Sequence, residues 1–217
     1  MKLTRLLSLL ALATGAAVLT GCGTTMHLTP YSVTAYKPHN PDKVVVKVSL
    51  STQNVYVEEG DRLLMAVQGN VGKPGASTPS GHFHVEEKIR EKRSGEYGFT
   101  HSGASADGSK GEHVDVGYPM AFWVGFAPAY GFHQGFVWSE PHTHGCIRLH
   151  MEAAARLYAL VKIGTPVIIE HSLPEDSTYG SKVRKLDQRN DPNPPTSLLM
   201  SKAWFQDPKG PLLIDEQ

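Results

Sequence analysis

The chain has almost no cysteine. Two are present in 217 residues, Cys22 and Cys146, too few for a disulfide framework. An excess of one charge is missing too, because 21 basic residues balance 21 acidic ones. With no basic surplus to neutralise phosphates, nothing points to nucleic acid as a partner. No hydrophobic run is long enough to cross a bilayer comfortably; the longest, residues 6–19, falls short of the roughly 20 residues that a span needs. No internal repeat is evident. What remains is 40% hydrophobic residues over this length, which suits one domain of ordinary size with some tail to spare.

The N-terminus is more specific. Lys2 and Arg5 precede the apolar run 6–19, which is the order of a secretory signal. The run ends in Leu19-Thr20-Gly21-Cys22, which resembles the lipobox of bacterial lipoproteins. That resemblance implies a signal peptide over residues 1–21 and lipid on the sulfur of Cys22, which becomes the new and further acylated N-terminus. Two or more acyl chains anchor stably where one binds only marginally. Gly23, and not Asp, follows the cysteine. By analogy with Gram-negative lipoproteins this favours the outer membrane, with the protein facing the periplasm. An ordinary signal peptide with a cysteine nearby is the alternative. If Cys22 carries lipid, Cys146 has no partner in an oxidising compartment, and a lone exported thiol is a liability unless it has a use.

Residues 22–42 lack a sustained apolar period and read as a membrane tether. The β-branched run 44–50, then 54–58 and 63–67, predict three strands separated by turn residues. Residues 69–81, "GNVGKPGASTPSG", hold too many Gly and Pro for any element. A strand is expected at 82–88, a mobile Gly/Ser/His loop at 94–115, and a buried aromatic strand at 119–126. Residues 152–162 carry Ala153, Ala154, Leu157, Leu160 and Val161 near helical spacing, and 166–170 reads as a closing strand. Residues 172–217 read as a Pro-rich extended appendage. The body, 43–171, is therefore mainly β with one helix after the cysteine segment.

That segment, "SEPHTHGCIRLH", crowds His142, His144 and His150 around Cys146. Imidazole and thiolate both suit zinc, and His133 could add a ligand from outside. One short segment rarely wraps a tetrahedron by itself, however, so no metal is assigned and no cofactor is required. A buried cysteine among solvated histidines is the plain structural alternative. A nucleophile needs a thiol that ionises, a base within reach and donors for an oxyanion. His133, in "YGFHQG", can serve as the base. Gly145 allows a close backbone approach, so amides around His144, Gly145 and Cys146 could face the oxyanion. A helix beginning near Met151 would favour thiolate through its dipole.

Thr143-His144-Gly145-Cys146-Ile147-Arg148-Leu149 resembles the [S/T]HGC[IV]RL signature of L,D-transpeptidases, the YkuD-type peptidoglycan enzymes. The strands and loop "VVVKVSLSTQNVYV…GNVGKPGASTPSGHFHV", with Thr78-Pro79-Ser80-Gly81, are similar to the family's first strands and its TPTG loop. "EKIREKRSGEYG", "YPMAFWVGF" and "FHQG" resemble its central segments in order. The resemblance implies an L,D-transpeptidase-like mixed β-sandwich over 43–171. It implies that Cys146 attacks the carbonyl of the L-centre residue in a tetrapeptide stem of peptidoglycan, paired with His133. An amine of a neighbouring stem then takes the thioester, forming a cross-link or attaching a protein to the wall. His144 would shape the site, and Arg148 would position the substrate or bind its carboxylate. Tyr118, Phe122 and Trp123 would line the cleft, and the 94–115 loop would cover it. Gln134, the segment 136–140 and Thr143 depart from the usual pattern, which leaves the acceptor open. With water as acceptor the chain is a peptidoglycan or wall-protein-detaching hydrolase. A non-catalytic wall- or metal-binding lipoprotein is the reading from another class.

Overall fold

The computed structural model describes residues 30–216; the signal peptide, the lipobox and Cys22 lie outside the described residues. The β-branched runs become strands for the expected reason. In β1 (Val44–Ser49) alternate residues Val44, Val46 and Val48 face the core. β1 pairs antiparallel with β2 (Asn54–Glu59), and β2 with β3 (Arg62–Asn70). Gln53, at φ 56, and Gly60, at φ 60, occupy the two reversals.

β4 (Gly81–His84) pairs with β10 (Pro166–Glu170), which runs parallel to β1. The chain then crosses over at Val85 and Glu86, whose amides donate to Thr165 O and Gly125 O. β5 (Glu87–Phe99), β6 (Ser105–Asp107), β7 (Val116–Ala127), β8 (Tyr130–Gln134) and β9 (Ile147–Leu149) complete a mixed ten-stranded sheet. Its order is β4-β10-β1-β2-β3-β9-β8-β7-β5-β6. The sheet doubles back at the β4–β5 crossover, so that Phe83 and Phe126 meet with ring centroids 5.4 Å apart. Val46, Val57, Phe132, Ile147 and Ile169 from both halves share one core. The architecture is mainly β, with α1 (Met151–Leu160) as its one long helix. Ala153, Ala154, Ala155 and Leu157 are buried on α1, and small side chains let it lie close against β7, β8 and β9.

Three expectations change. The strand expected at 82–88 is the junction of two strands, because the chain switches halves of the sheet at Val85. Much of the segment expected as a mobile loop at 94–115 is strand: β5 continues to Phe99 and pairs with both β6 and β7. Gly98 within it serves close packing against Gly117 of β7. A Cβ at Gly98 would lie 2.2 Å from Val116 O, and one at Gly117, its register partner, 2.0 Å from Ser94 O. The tail carries only short helical turns, α2 (Glu175–Thr178) and α3 (Thr196–Met200) among them, yet it packs back onto the domain. Leu173 and Val183 cover Tyr56, while Leu199 and Phe205 are buried near β5 and β7. Arg93 holds it there, donating to Leu199 O, Met200 O and Ser201 O at 3.0, 3.0 and 3.1 Å.

Candidate active site

β8 and β9 are parallel neighbours, and their register places His133 opposite Arg148, with Cys146 one residue before β9. Residues more than ten positions apart in sequence thus reach one place. A cavity of about 290 Å³ is lined by His133, Cys146, His144, Arg148, Tyr97 and Tyr118, among others.

His133 is buried, and its Nδ1 lies 2.8 Å from the carbonyl oxygen of Gln134. A carbonyl only accepts, so Nδ1 carries the proton and Nε2 is left with a free lone pair. Burial pushes the imidazole down to about 4, so the ring is neutral at ordinary pH and able to take a proton. Trp123 stacks on it, with centroids 6.0 Å apart and planes at 28°.

Cys146 is half-buried. Its Sγ lies 3.6 Å from Ala129 O, presented by a residue at φ 65 in the β7–β8 turn. Burial pushes the thiol up, and the Gly131 amide and the Arg148 charge oppose this only in part. The resting pair is therefore thiol and neutral imidazole. The expected help from a helix dipole is not available at close range. β9 stands between Cys146 and α1, and the dipole acts within the first turn.

The cysteine loop is shaped by hydroxyls. Thr143 Oγ1 donates to Cys146 O at 2.6 Å and accepts the Gly145 amide at 3.0 Å. The Gly145 amide is thus engaged, which removes it from the expected oxyanion donors. Gly145 sits at φ +115, where a side chain is strained. Its carbonyl accepts from Thr78 Oγ1 at 2.8 Å, and the same hydroxyl accepts the Gly72 amide at 2.9 Å. The TPTG-like loop is therefore a buttress for the cysteine loop. Gln53 braces the other side. Its amide nitrogen donates to Ser139 O, and its amide oxygen accepts from Asn70 Nδ2 and the Val71 amide.

The remaining expected site residues divide. His144 lines the cavity and stacks on Tyr97 at 5.4 Å. Arg148 lies along it too; burial presses its pKa down, and no ion pair to it forms among the described residues. Trp123 does not line the cavity but flanks the His133 ring, because the β7–β8 register sets it level with His133, its indole lying over Gly131 with 4% exposure. Phe122 turns the other way, against Tyr158 of α1. His142 stacks on Trp138, and His150 caps α1 by accepting the Glu152 amide. Those histidines are dispersed, and among the described residues no group of three or more His, Cys, Asp or Glu could hold a metal ion. The sequence assigns no role to Tyr97 or Thr78. Both lie inside motif segments, but periodicity gives no sign that either approaches Cys146.

Beyond Arg148 a larger space of about 640 Å³ continues from the cleft, walled by the β5–β6 hairpin and by tail residues such as Pro194 and Leu199. The cleft is thus framed partly by residues outside the compact domain.

Residues 43–169 match the family described as YkuD, L,D-transpeptidase catalytic domain. The match covers more than half of the chain, and the chain belongs to that family. No curated protein matches. Among solved structures it is similar to an L,D-transpeptidase (Yku) from Stackebrandtia nassauensis, at 21% identity and TM-score 0.47 over 64% of this chain and 60% of that one. It is similar to an L,D-transpeptidase from Mycobacterium smegmatis, at 20% identity and TM-score 0.48 over 59% and 58% of the two chains. L,D-transpeptidase 1 of Mycobacterium tuberculosis stands at 22% identity and TM-score 0.46, over 59% and 62%. The chain thus spans about three fifths of the length of these structures.

Proposed function

We propose that this catalytic domain transfers acyl groups of peptidoglycan stem peptides through a thioester on Cys146, with His133 as the base. The observation that supports it best is the state of His133, whose Nδ1 is tied to Gln134 O while the ring shares a cavity with the thiol. In the proposed step Nε2 takes the Cys146 proton, and Sγ bonds to the carbonyl carbon of the L-centre residue. The amides of His144 and Cys146 receive the oxyanion, since that of Gly145 is engaged. His133 returns the proton to the departing amine, the C–N bond breaks, and terminal D-Ala leaves. An acceptor amine then attacks the thioester, gives its proton to His133, and the C–S bond breaks as the sulfur recovers a proton. Arg148, a half-buried cation with no ion pair among the described residues, receives a substrate carboxylate.

The acceptor decides the biological outcome. An amine of a neighbouring stem gives a cross-link, and a wall-bound protein gives attachment. Product analysis after incubating the mature chain with muropeptides is the test. Cross-linked dimers are expected, whereas shortened or released peptides alone would establish the hydrolase. A carbapenem, with its strained carbonyl, is expected to add covalently to Cys146 and not to a Cys146→Ala chain. Absence of any adduct and any product would overturn the acyl-transfer reading.

We further propose that Cys22 is lipidated and holds the domain at the outer membrane facing the periplasm. Intact mass of the membrane-extracted protein tests this. The expected mass is that of residues 22–217 plus acyl chains, and a mature N-terminus elsewhere without lipid would refute it.

A further inference from the structure

His133 is held from behind by more than its own backbone. Trp123 stacks on its ring, and that indole is itself fixed on three sides. Its Nε1 donates to Glu87 Oε1 at 2.6 Å. Below it Gly125 and Gly131 are register partners across β7 and β8. A Cβ on Gly125 would lie 2.9 Å from the indole Nε1, and one on Gly131 2.7 Å from Cζ2. Both positions must therefore lack a side chain for the ring to lie there. The preceding residue, Phe122, is held at φ 58 within a strand, and strain of that kind persists only where the surroundings enforce it. Lys92 completes the cluster, 3.1 Å from Glu87 Oε1 and 5.2 Å from the Trp123 ring centroid.

We infer that Trp123 is a positioning residue for His133, stabilising its protonated form in the reaction through the face of the indole, with Glu87 fixing that indole. The inference rests on the proposed role of His133 as the base. An imidazole that takes the thiol proton becomes a cation in a dry site, and an aromatic face is one of the few things there that attracts a cation. Glu87 accepts the indole N–H, which orients the ring and adds electron density to it. Lys92 balances the Glu87 charge, so the support is close to neutral overall.

The other charged or titratable groups around His133 are accounted for. Cys146, Arg148 and His144 face it from the β9 side, Tyr118 from β7 and Tyr97 from β5. The thiolate favours the imidazolium, and Arg148 opposes it. The Gln134 carbonyl on Nδ1 and the indole face are the attractive contacts that persist whatever the state of the thiol.

Alkylation of Cys146 by iodoacetamide across pH, in the full mature chain, separates the possibilities. Removing the indole face should make the thiolate available only at higher pH. Trp123→Leu is therefore expected to slow alkylation at neutral pH by roughly 3- to 10-fold and to move the rise in rate upward in pH. Trp123→Phe, which keeps an aromatic face, should recover most of the rate. Glu87→Gln, at a residue whose side chain is 45% exposed, leaves Lys92 unbalanced and should shift the profile in the same direction by less. His133→Ala is the reference. If its profile equals that of the unaltered chain, the base assignment itself fails. If His133→Ala slows the reaction while Trp123→Leu leaves the profile in place, the inference alone is overturned. A uniform loss of rate in Trp123→Leu with no movement in pH would also overturn it, as a packing effect. Should Trp123→Leu not fold, Glu87→Gln and Trp123→Phe carry the test, and profiles unmoved in Glu87→Gln decide against it.

Discussion

A Cβ on Gly145 would lie 2.4 Å from Cε1 of Tyr130. That contact ties the cysteine loop to the start of β8, the strand that carries His133, and φ +115 at Gly145 makes any side chain there strained as well. Gly145→Ala is expected to lower stability by about 1–3 kcal/mol. It should lower acyl-enzyme formation by roughly 100-fold, because displacing a nucleophile by a fraction of its hydrogen-bond reach is that damaging. Chemical denaturation and adduct formation by mass, run on the same preparation, check the two effects separately.

The buried state of His133 predicts a pH dependence of stability. Its imidazole is pushed down to about 4 in the folded chain, while the unfolded chain titrates near 6.5. Between those values the unfolded state binds a proton that the folded state refuses, so stability is fully present above about 6.5 and declines as pH falls toward about 4. His133→Gln keeps the volume without the titration. The difference in melting temperature between the two chains should shrink as pH falls through that window. A difference independent of pH would show that the ring is not held neutral.

Arg148 brings a half-buried charge to the cleft without an ion pair among the described residues. Leaving such a charge uncompensated is unfavourable, so Arg148→Met is expected to raise the melting temperature, by an equivalent of about 1–2 kcal/mol, while turnover falls. Arg148→Lys keeps the charge but loses the fork that grips a carboxylate, and KM should rise more than kcat falls. Equal KM values in Arg148→Lys and the unaltered enzyme would remove the carboxylate role.

The tail is part of the fold's stability. Removing residues 172–217 uncovers Tyr56 and takes away Leu199 and Phe205, which are buried at 7% and 5% exposure. Each large apolar side chain of this kind is worth roughly 1.5–3 kcal/mol. The truncated chain is expected to melt well below the full one and to lose the larger space beyond Arg148, walled partly by Pro194 and Leu199. Arg93→Ala, which removes the donor to three tail carbonyls, should reproduce part of that loss. A melting curve of the truncated chain superimposable on that of the full chain would refute this.

Local features that need only neighbours in the chain were legible in the sequence. The Val run of β1, the alanine face of α1 and the closing strand β10 follow from period and propensity. The residues of "YGFHQG" and "THGCIRL" offer, by their chemistry, a candidate base and a candidate nucleophile, and Gly145 offers its conformational freedom. What period could not reveal is distance across the sheet. The 94–115 stretch looks like a loop because its Gly and Ser carry no apolar pattern, yet Gly98 is required where β5 approaches Gly117 of β7 too closely for a Cβ. Trp123 reads as a cleft residue until the β7–β8 register sets it beside His133, over Gly131. The tail reads as an appendage because its few apolar residues are widely spaced, and only the folded surface offers each of them a separate place. Ionisation is likewise a tertiary property. The identity of Cys146 and His133 is in the sequence, but burial alone makes the thiol harder to ionise and the imidazole neutral, since both shifts come from water that the rest of the fold excludes.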